Sequence, residues 1–152
     1  MRLVFREANG DREIREGIEM TLLKIPRKVN YKKRLWKVFS EYVRRRDGGK
    51  CFTCDTVKDY KLMDAGHFIP AGTCPPPLYF DERNVSCQCT SCNRYKSGNL
   101  SVYAIRLVEK YGSEVLRELD AMKKRGGKWN SWTYQEYINL YKSKIESLAP
   151  VD

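Results

Sequence analysis

Four of the six cysteines form two pairs, Cys51-x-x-Cys54 and Cys89-x-x-Cys92, with 34 residues between them. A C-x-x-C turn aims two thiolates at one point, and two such turns supply the four sulfurs of a tetrahedral structural zinc site. Disulfides are disfavoured without a secretory signal, and a redox C-x-x-C is disfavoured because there are two pairs. A zinc closed by four sulfurs has no open position and is expected to do no chemistry. Cys74 and Cys87 are left over and read as buried apolar thiols, with Cys87 an alternative ligand. The single histidine, His67, sits in Asp64-Ala65-Gly66-His67-Phe68-Ile69-Pro70, inside the span that the cysteine pairs close. A lone histidine is most often structural. Here Asn84 precedes Cys89 by five residues and Asn93 directly follows Cys92.

The elements that must position these residues can be read coarsely. At 152 residues, 41% hydrophobic and 12% aromatic, the chain has enough apolar material for one core. It is not a disordered composition, and no apolar run approaches the length of a membrane span. Met1 to Gly10 has no long apolar stretch, so a cytoplasmic protein is expected, in the host cell if the gene is a phage's. The net charge is +10, and residues 24–50 hold eleven Lys and Arg against only Glu41 and Asp47. Such density fits a polyanion footprint, most simply nucleic acid; the bland alternative is a solvated helix face. A short helix is expected over 11–23. An amphipathic helix is expected over 32–46, where Leu35, Phe39 and Tyr42 follow one stripe, Trp36 and Val43 lie beside it, and Gly48–Gly49 ends it. Strands are expected at 58–68 and 79–87, a short helix at 90–97, and helices over Leu100–Tyr111 and Glu114–Lys123. A last helix is expected over 134–148, opened by a Thr133/Glu136 capping box, with Tyr137, Tyr141, Ile145 and Leu148 on its apolar face. The fold class is α+β: a small metal-tied centre wrapped by helices from both ends. The expected divisions are 1–31, 32–112 and 113–152, packed as one domain.

The ordered set of residues carries a resemblance. A histidine after a strand, an asparagine before a C-x-x-C and a ligand position directly after it resemble the HNH (ββα-metal) nuclease motif. The zinc-bearing version with a final asparagine is similar to phage endonuclease VII. A longer match is to the phage lambda NinG (Rap) recombination family. It runs through Leu35-Trp36-Lys37-Val38-Phe39-Ser40-Glu41-Tyr42-Val43-Arg44 and Arg46-Asp47 to Gly66-His67-Phe68. It continues with Phe80-Asp81-Glu82-Arg83-Asn84, Gln88-Cys89-Thr90-Ser91-Cys92-Asn93 and Ser97-Gly98-Asn99-Leu100, then Tyr103 and Gly112.

By position, the resemblance implies His67 as general base, Asn93 as ligand of a catalytic Mg²⁺ or Mn²⁺, and Asn84 as the residue that pins the loop between the strands. It places Cys51, Cys54, Cys89 and Cys92 on structural zinc. Many HNH enzymes carry an acidic ligand directly before the histidine; this chain has Gly66 there, as NinG-like sequences do, and Asp64 is the nearest acid on the same strand face. The implied activity is a structure-specific endonuclease that hydrolyses phosphodiesters in branched DNA such as Holliday junctions and D-loops, leaving 5′-phosphate and 3′-hydroxyl ends. Lys32, Lys33, Arg34, Lys37, Arg44, Arg45, Arg46 and Lys96 are the expected backbone contacts. Symmetric cutting of a junction would suit a two-fold homodimer. Two alternatives are a zinc-stabilised DNA-binding module without catalysis and an HNH nicking enzyme acting on ordinary duplex.

Overall fold

The computed structural model describes residues 28–148 and 150; the helix expected at 11–23 lies outside them. The chain divides into two units, Met1–Asn30 and Tyr31–Asp152, and the second carries everything below.

Helix α1 (Tyr31–Arg46) forms as its sequence predicts. Leu35, Phe39, Tyr42 and Val43 recur at helical spacing and are buried, while Arg44, Arg45 and Arg46 fill the last turn, where cations complement the helix dipole. Gly48 and Gly49 stop it at φ +60 and +66. At Gly49 a Cβ would lie 2.0 Å from the Lys58 carbonyl, so only glycine fits. The chain then makes the first cysteine knuckle, clasped by an isolated bridge between Lys50 and Val57.

A 3-10 turn at Tyr60–Leu62, capped by Asp59, leads into β1 (Asp64–His67). Strand β1 pairs antiparallel with β2 (Val85–Gln88), with Gly66 opposite Ser86 and Asp64 opposite Gln88. Both strands are shorter than the 58–68 and 79–87 expected. On the first, the 3-10 turn takes the early residues. On the second, Pro76 opens a one-turn helix, α2 (Pro76–Tyr79), because proline suits a first helical turn but cannot donate to a ladder. After β2 the second knuckle winds into a short π-type turn (Ser91–Tyr95), within the helix expected at 90–97.

Three helices complete the unit: α3 (Leu100–Tyr111), α4 (Val115–Arg125) and α5 (Ser131–Ser147). Helix α5 starts earlier than expected. Its cap is Asn130, whose Oδ1 accepts from the Thr133 backbone N–H at 2.9 Å, so Thr133 receives the cap rather than supplying it. One apolar cluster joins α1 to α5 through Leu35, Phe39, Ile138 and Tyr141, with Phe80 and Val85 beneath. A second joins α2, α3 and α4 through Leu78, Tyr103, Leu107, Val115 and Leu119. Each fully buried Leu or Phe contributes about 1.5–3 kcal/mol. The third cluster is the cysteine centre, lined by Met63 and Cys87. The architecture is mixed, with helices around a small antiparallel sheet. Among the described residues no helix is long and apolar enough to cross a membrane.

Candidate active site and metal centre

The two knuckles bring Cys51, Cys54, Cys89 and Cys92 together, with all four ligand atoms within 4.8 Å of one another. The Cys54 and Cys89 sulfurs are 3.7 Å apart. Zinc–sulfur bonds of about 2.3 Å in a tetrahedron put sulfurs ~3.8 Å apart, so the cage fits that ion. Local hydrogen bonds build it. Cys51 N–H donates to Thr56 O at 2.8 Å, Phe52 N–H to Cys87 O at 2.8 Å, and Asn93 N–H to Cys89 O at 2.9 Å. The Thr56 hydroxyl holds the Cys54 thiol down at about 6. Cys87 lies outside the cage and burial pushes its thiol up to about 12, as suits an inert core thiol. Cys74 is only half-buried, with Asn84 Nδ2 3.5 Å from its sulfur.

His67 closes β1, and its imidazole stacks on Trp36 of α1 (centroids 5.1 Å, planes 25° apart) with the Tyr79 ring at 4.6 Å. Its Nε2 is 3.0 Å from the Tyr79 carbonyl. A carbonyl only accepts, so Nε2 carries the proton and Nδ1 is left with a free lone pair. Burial, aided by the Lys32 charge and opposed by the Tyr79 bond, lowers the imidazole pKa to about 4. The ring is therefore neutral at physiological pH.

His67 and Asn93 line one groove of about 320 Å³, together with Ala65, Pro70, Ala71, Ser97, Gly98 and Leu100. Asn93 donates its Nδ2 to Asp64 Oδ2 at 3.1 Å. The same carboxylate accepts Arg94 Nε and Nη2 at 3.1 and 3.2 Å. Asp64 thus reaches Asn93 directly. Asn84 is fully buried and does not line the groove. Its Oδ1 accepts Ile69 N–H at 2.8 Å and its Nδ2 donates to Leu78 O at 3.2 Å, so it ties the loop between β1 and β2. Tyr103, wholly buried, donates its hydroxyl to Gly66 O at 3.0 Å and anchors β1 to α3.

The basic residues divide. Lys32 lies over the Tyr79 ring at 4.2 Å, beside the groove. Lys33, Lys37 and Lys96 are exposed and Arg34 rests on Tyr31. Arg44 and Arg45 engage Tyr60. Arg46 turns inward, bonding Asp47 at 2.8 and 3.0 Å and the carbonyls of Glu82 and Val85 at 3.2 Å each. The sequence reading did not identify Trp36 and Tyr79 as the imidazole's neighbours, Arg94 as the partner of Asp64, or Gln88 beneath Gly66. The position of Trp36 just off the buried stripe was the one available signal.

A family model described as Bacteriophage Lambda NinG protein matches residues 5–150. The chain is 32% identical over 120 residues to Protein ninG of Escherichia phage 933W, covering 76% of this chain and 57% of that one. It is 33% identical over 120 residues to Protein ninG of Salmonella phage P22, covering 76% and 56%. It is 32% identical over 120 residues to Protein ninG of Escherichia phage lambda, covering 76% and 56%. The chain thus spans little more than half the length of these curated relatives. No solved structure matches it. Since the family model covers nearly the whole sequence, this chain belongs to the phage lambda NinG family.

Proposed function

We propose that the protein is a metal-dependent endodeoxyribonuclease with an HNH-like core, acting on branched recombination intermediates. The observation that carries the proposal is the shared groove: a neutral imidazole and an asparagine oxygen donor open onto one 320 Å³ space beside a four-sulfur cage. His67 takes a proton from water at Nδ1 while the Tyr79 carbonyl holds Nε2–H. Trp36 and Tyr79 fix the ring's plane and restrict water on its other faces. The donor set suits a hard cation, because Asn93 offers a carbonyl oxygen and Asp64 holds its amide end. Asn93, oriented by Asp64, would hold a Mg²⁺ or Mn²⁺ whose charge would stabilise the phosphoryl and leaving oxygens. Lys32, Lys37 and Lys96 are cations available to the DNA backbone, and such contacts favour recognition by shape over sequence. Cutting two symmetric strands would be served by a homodimer.

The test is cleavage of a synthetic four-way junction and of linear duplex of the same sequence, in Mg²⁺ and in EDTA. A positioned general base is worth about 10² to 10⁴ in rate, so His67→Ala loses at least 100-fold while zinc content and junction binding persist. Wild-type protein that leaves the junction intact in Mg²⁺ removes the nuclease reading and leaves a DNA-binding module. Equal cutting of linear duplex removes the preference for branches.

A further inference from the structure

Gly66 stands where an acidic cation ligand is common in HNH enzymes, and the space above it is filled by another residue. A Cβ on Gly66 would lie 2.0 Å from Gln88 Oε1 and 2.9 Å from Asn93 Oδ1. The two amide oxygens converge on the point from which that side chain would have grown.

The orientations of both amides are fixed by their partners. Gln88 Nε2 donates to Gly98 O at 2.9 Å and to Thr53 Oγ1 at 3.2 Å. Gly98 O is only an acceptor, so the atom facing it is the amide nitrogen, and Oε1 faces Gly66. Likewise Asn93 presents nitrogen to the Asp64 carboxylate, which turns Oδ1 the other way. Gln88 is fully buried, and among the described residues its Oε1 has no hydrogen-bond partner. A buried carbonyl left without a donor is destabilising. Two acceptors brought this close without a hydrogen between them are stabilised by a cation that bridges them.

We propose that the side-chain carbonyl of Gln88 is a second protein oxygen ligand, beside Asn93, for the divalent cation, replacing the acid absent at Gly66. This rests on the nuclease reading above. Gln88 and Asn93 would hold the cation on its protein side, leaving its remaining positions to water and phosphate oxygens on the groove side, as Mg²⁺ prefers. Glycine at 66 is then a requirement, because any Cβ would take the place of the Gln88 carbonyl.

The zinc-loaded full chain, labelled with ¹³C, is titrated with Mg²⁺ and followed by NMR. Gln88 Cδ and Asn93 Cγ are expected to shift together, by comparable amounts and with one midpoint. An Asn93 shift without a comparable Gln88 shift overturns the proposal and leaves the nuclease reading standing; no shift in either overturns both. A second measurement uses Gln88→Glu. It exchanges a neutral oxygen for a charged one, so free Mn²⁺ measured by EPR should show at least ~10-fold tighter binding. Unchanged or weaker binding by folded variant overturns the proposal, and if that variant does not fold the wild-type titration decides.

Discussion

Replacing Gly66 by alanine tests the packing at the centre of the site. Gly66 has no positive φ, and alanine in an ordinary strand position usually gains about 0.5–1 kcal/mol over glycine. The structure predicts the opposite sign. The new Cβ would lie 2.0 Å from Gln88 Oε1, a distance at which something must move. Gln88 is fully buried and held by Thr53 and Gly98, so moving it breaks those bonds. Overpacking costs about 1–3 kcal/mol, and a stranded buried polar group costs about 1–3 more. Less the strand gain, Gly66→Ala should lose about 1–5 kcal/mol. For a chain of this size that lowers the melting temperature by ~2–20 °C. Urea and thermal unfolding of both proteins, zinc kept in slight excess, measure it. In a Gln88→Ala background the main obstruction is gone, leaving only Asn93 Oδ1 at 2.9 Å, and the same change should cost under ~1 kcal/mol. A Gly66→Ala protein as stable as wild type, or an equal loss in both backgrounds, would refute the reasoning.

Three further outcomes are expected. Since His67 is the sole histidine, its ring proton is unambiguous in NMR. With the folded pKa at about 4, it should not titrate between pH 8 and 5. Because the unfolded imidazole takes its proton near pH 6.5, stability should fall as pH drops through that window, by up to ~1.4 kcal/mol per unit, relative to His67→Phe. A midpoint near 6.5 would sink the buried-ring assignment. One zinc per chain is expected by elemental analysis, with Cys92→Ser or a strong chelator releasing it and collapsing the knuckles, measured by proteolysis between residues 50 and 98; a metal-free protein with unchanged protection contradicts it. Glu82 accepts the hydroxyls of Tyr42 and Tyr141 at 3.1 and 3.2 Å and is bonded by Lys144. Burial would raise its carboxyl, yet Lys144, Tyr42 and Arg46 outweigh it and hold it below its ordinary value. Glu82→Gln should therefore cost about 1–3 kcal/mol at pH 7 in denaturant melts, with the difference from wild type shrinking as acid protonates Glu82; a pH-independent difference would argue against the network.

What could be read in advance follows the range of the forces involved. The boundaries of α3 were legible because Gly112 ends the helix within its own turn. The cysteine spacing announced the cage, since C-x-x-C geometry is set locally. The strands were overestimated because three prolines and the Asp59 cap divert their flanks into turns. The start of α5 was misplaced because Asn130 and Thr133 both suit a cap, and only the backbone decides between them. Least legible were Gln88 and Arg94. Gln88 falls one residue beyond the strand expected at 79–87, and its meaning arises only when Gly66, across the sheet, leaves room for its carbonyl. Arg94 reads as one more cation until β1 delivers Asp64 to it.

Gln88 is bonded directly to Cys89, and Cys92 to Asn93. Asn93, on the groove, and the buried Gln88 are thus each one peptide link from a cysteine of the cage, a Cα spacing of about 3.8 Å. A metal held in that cage would fix the backbone of both amides more tightly than the hydrocarbon layers around them. Sequence drift in α4 or α5 can then erode thermal robustness while leaving these donors in register, a division of labour compatible with relatives sharing only 32–33% of aligned positions.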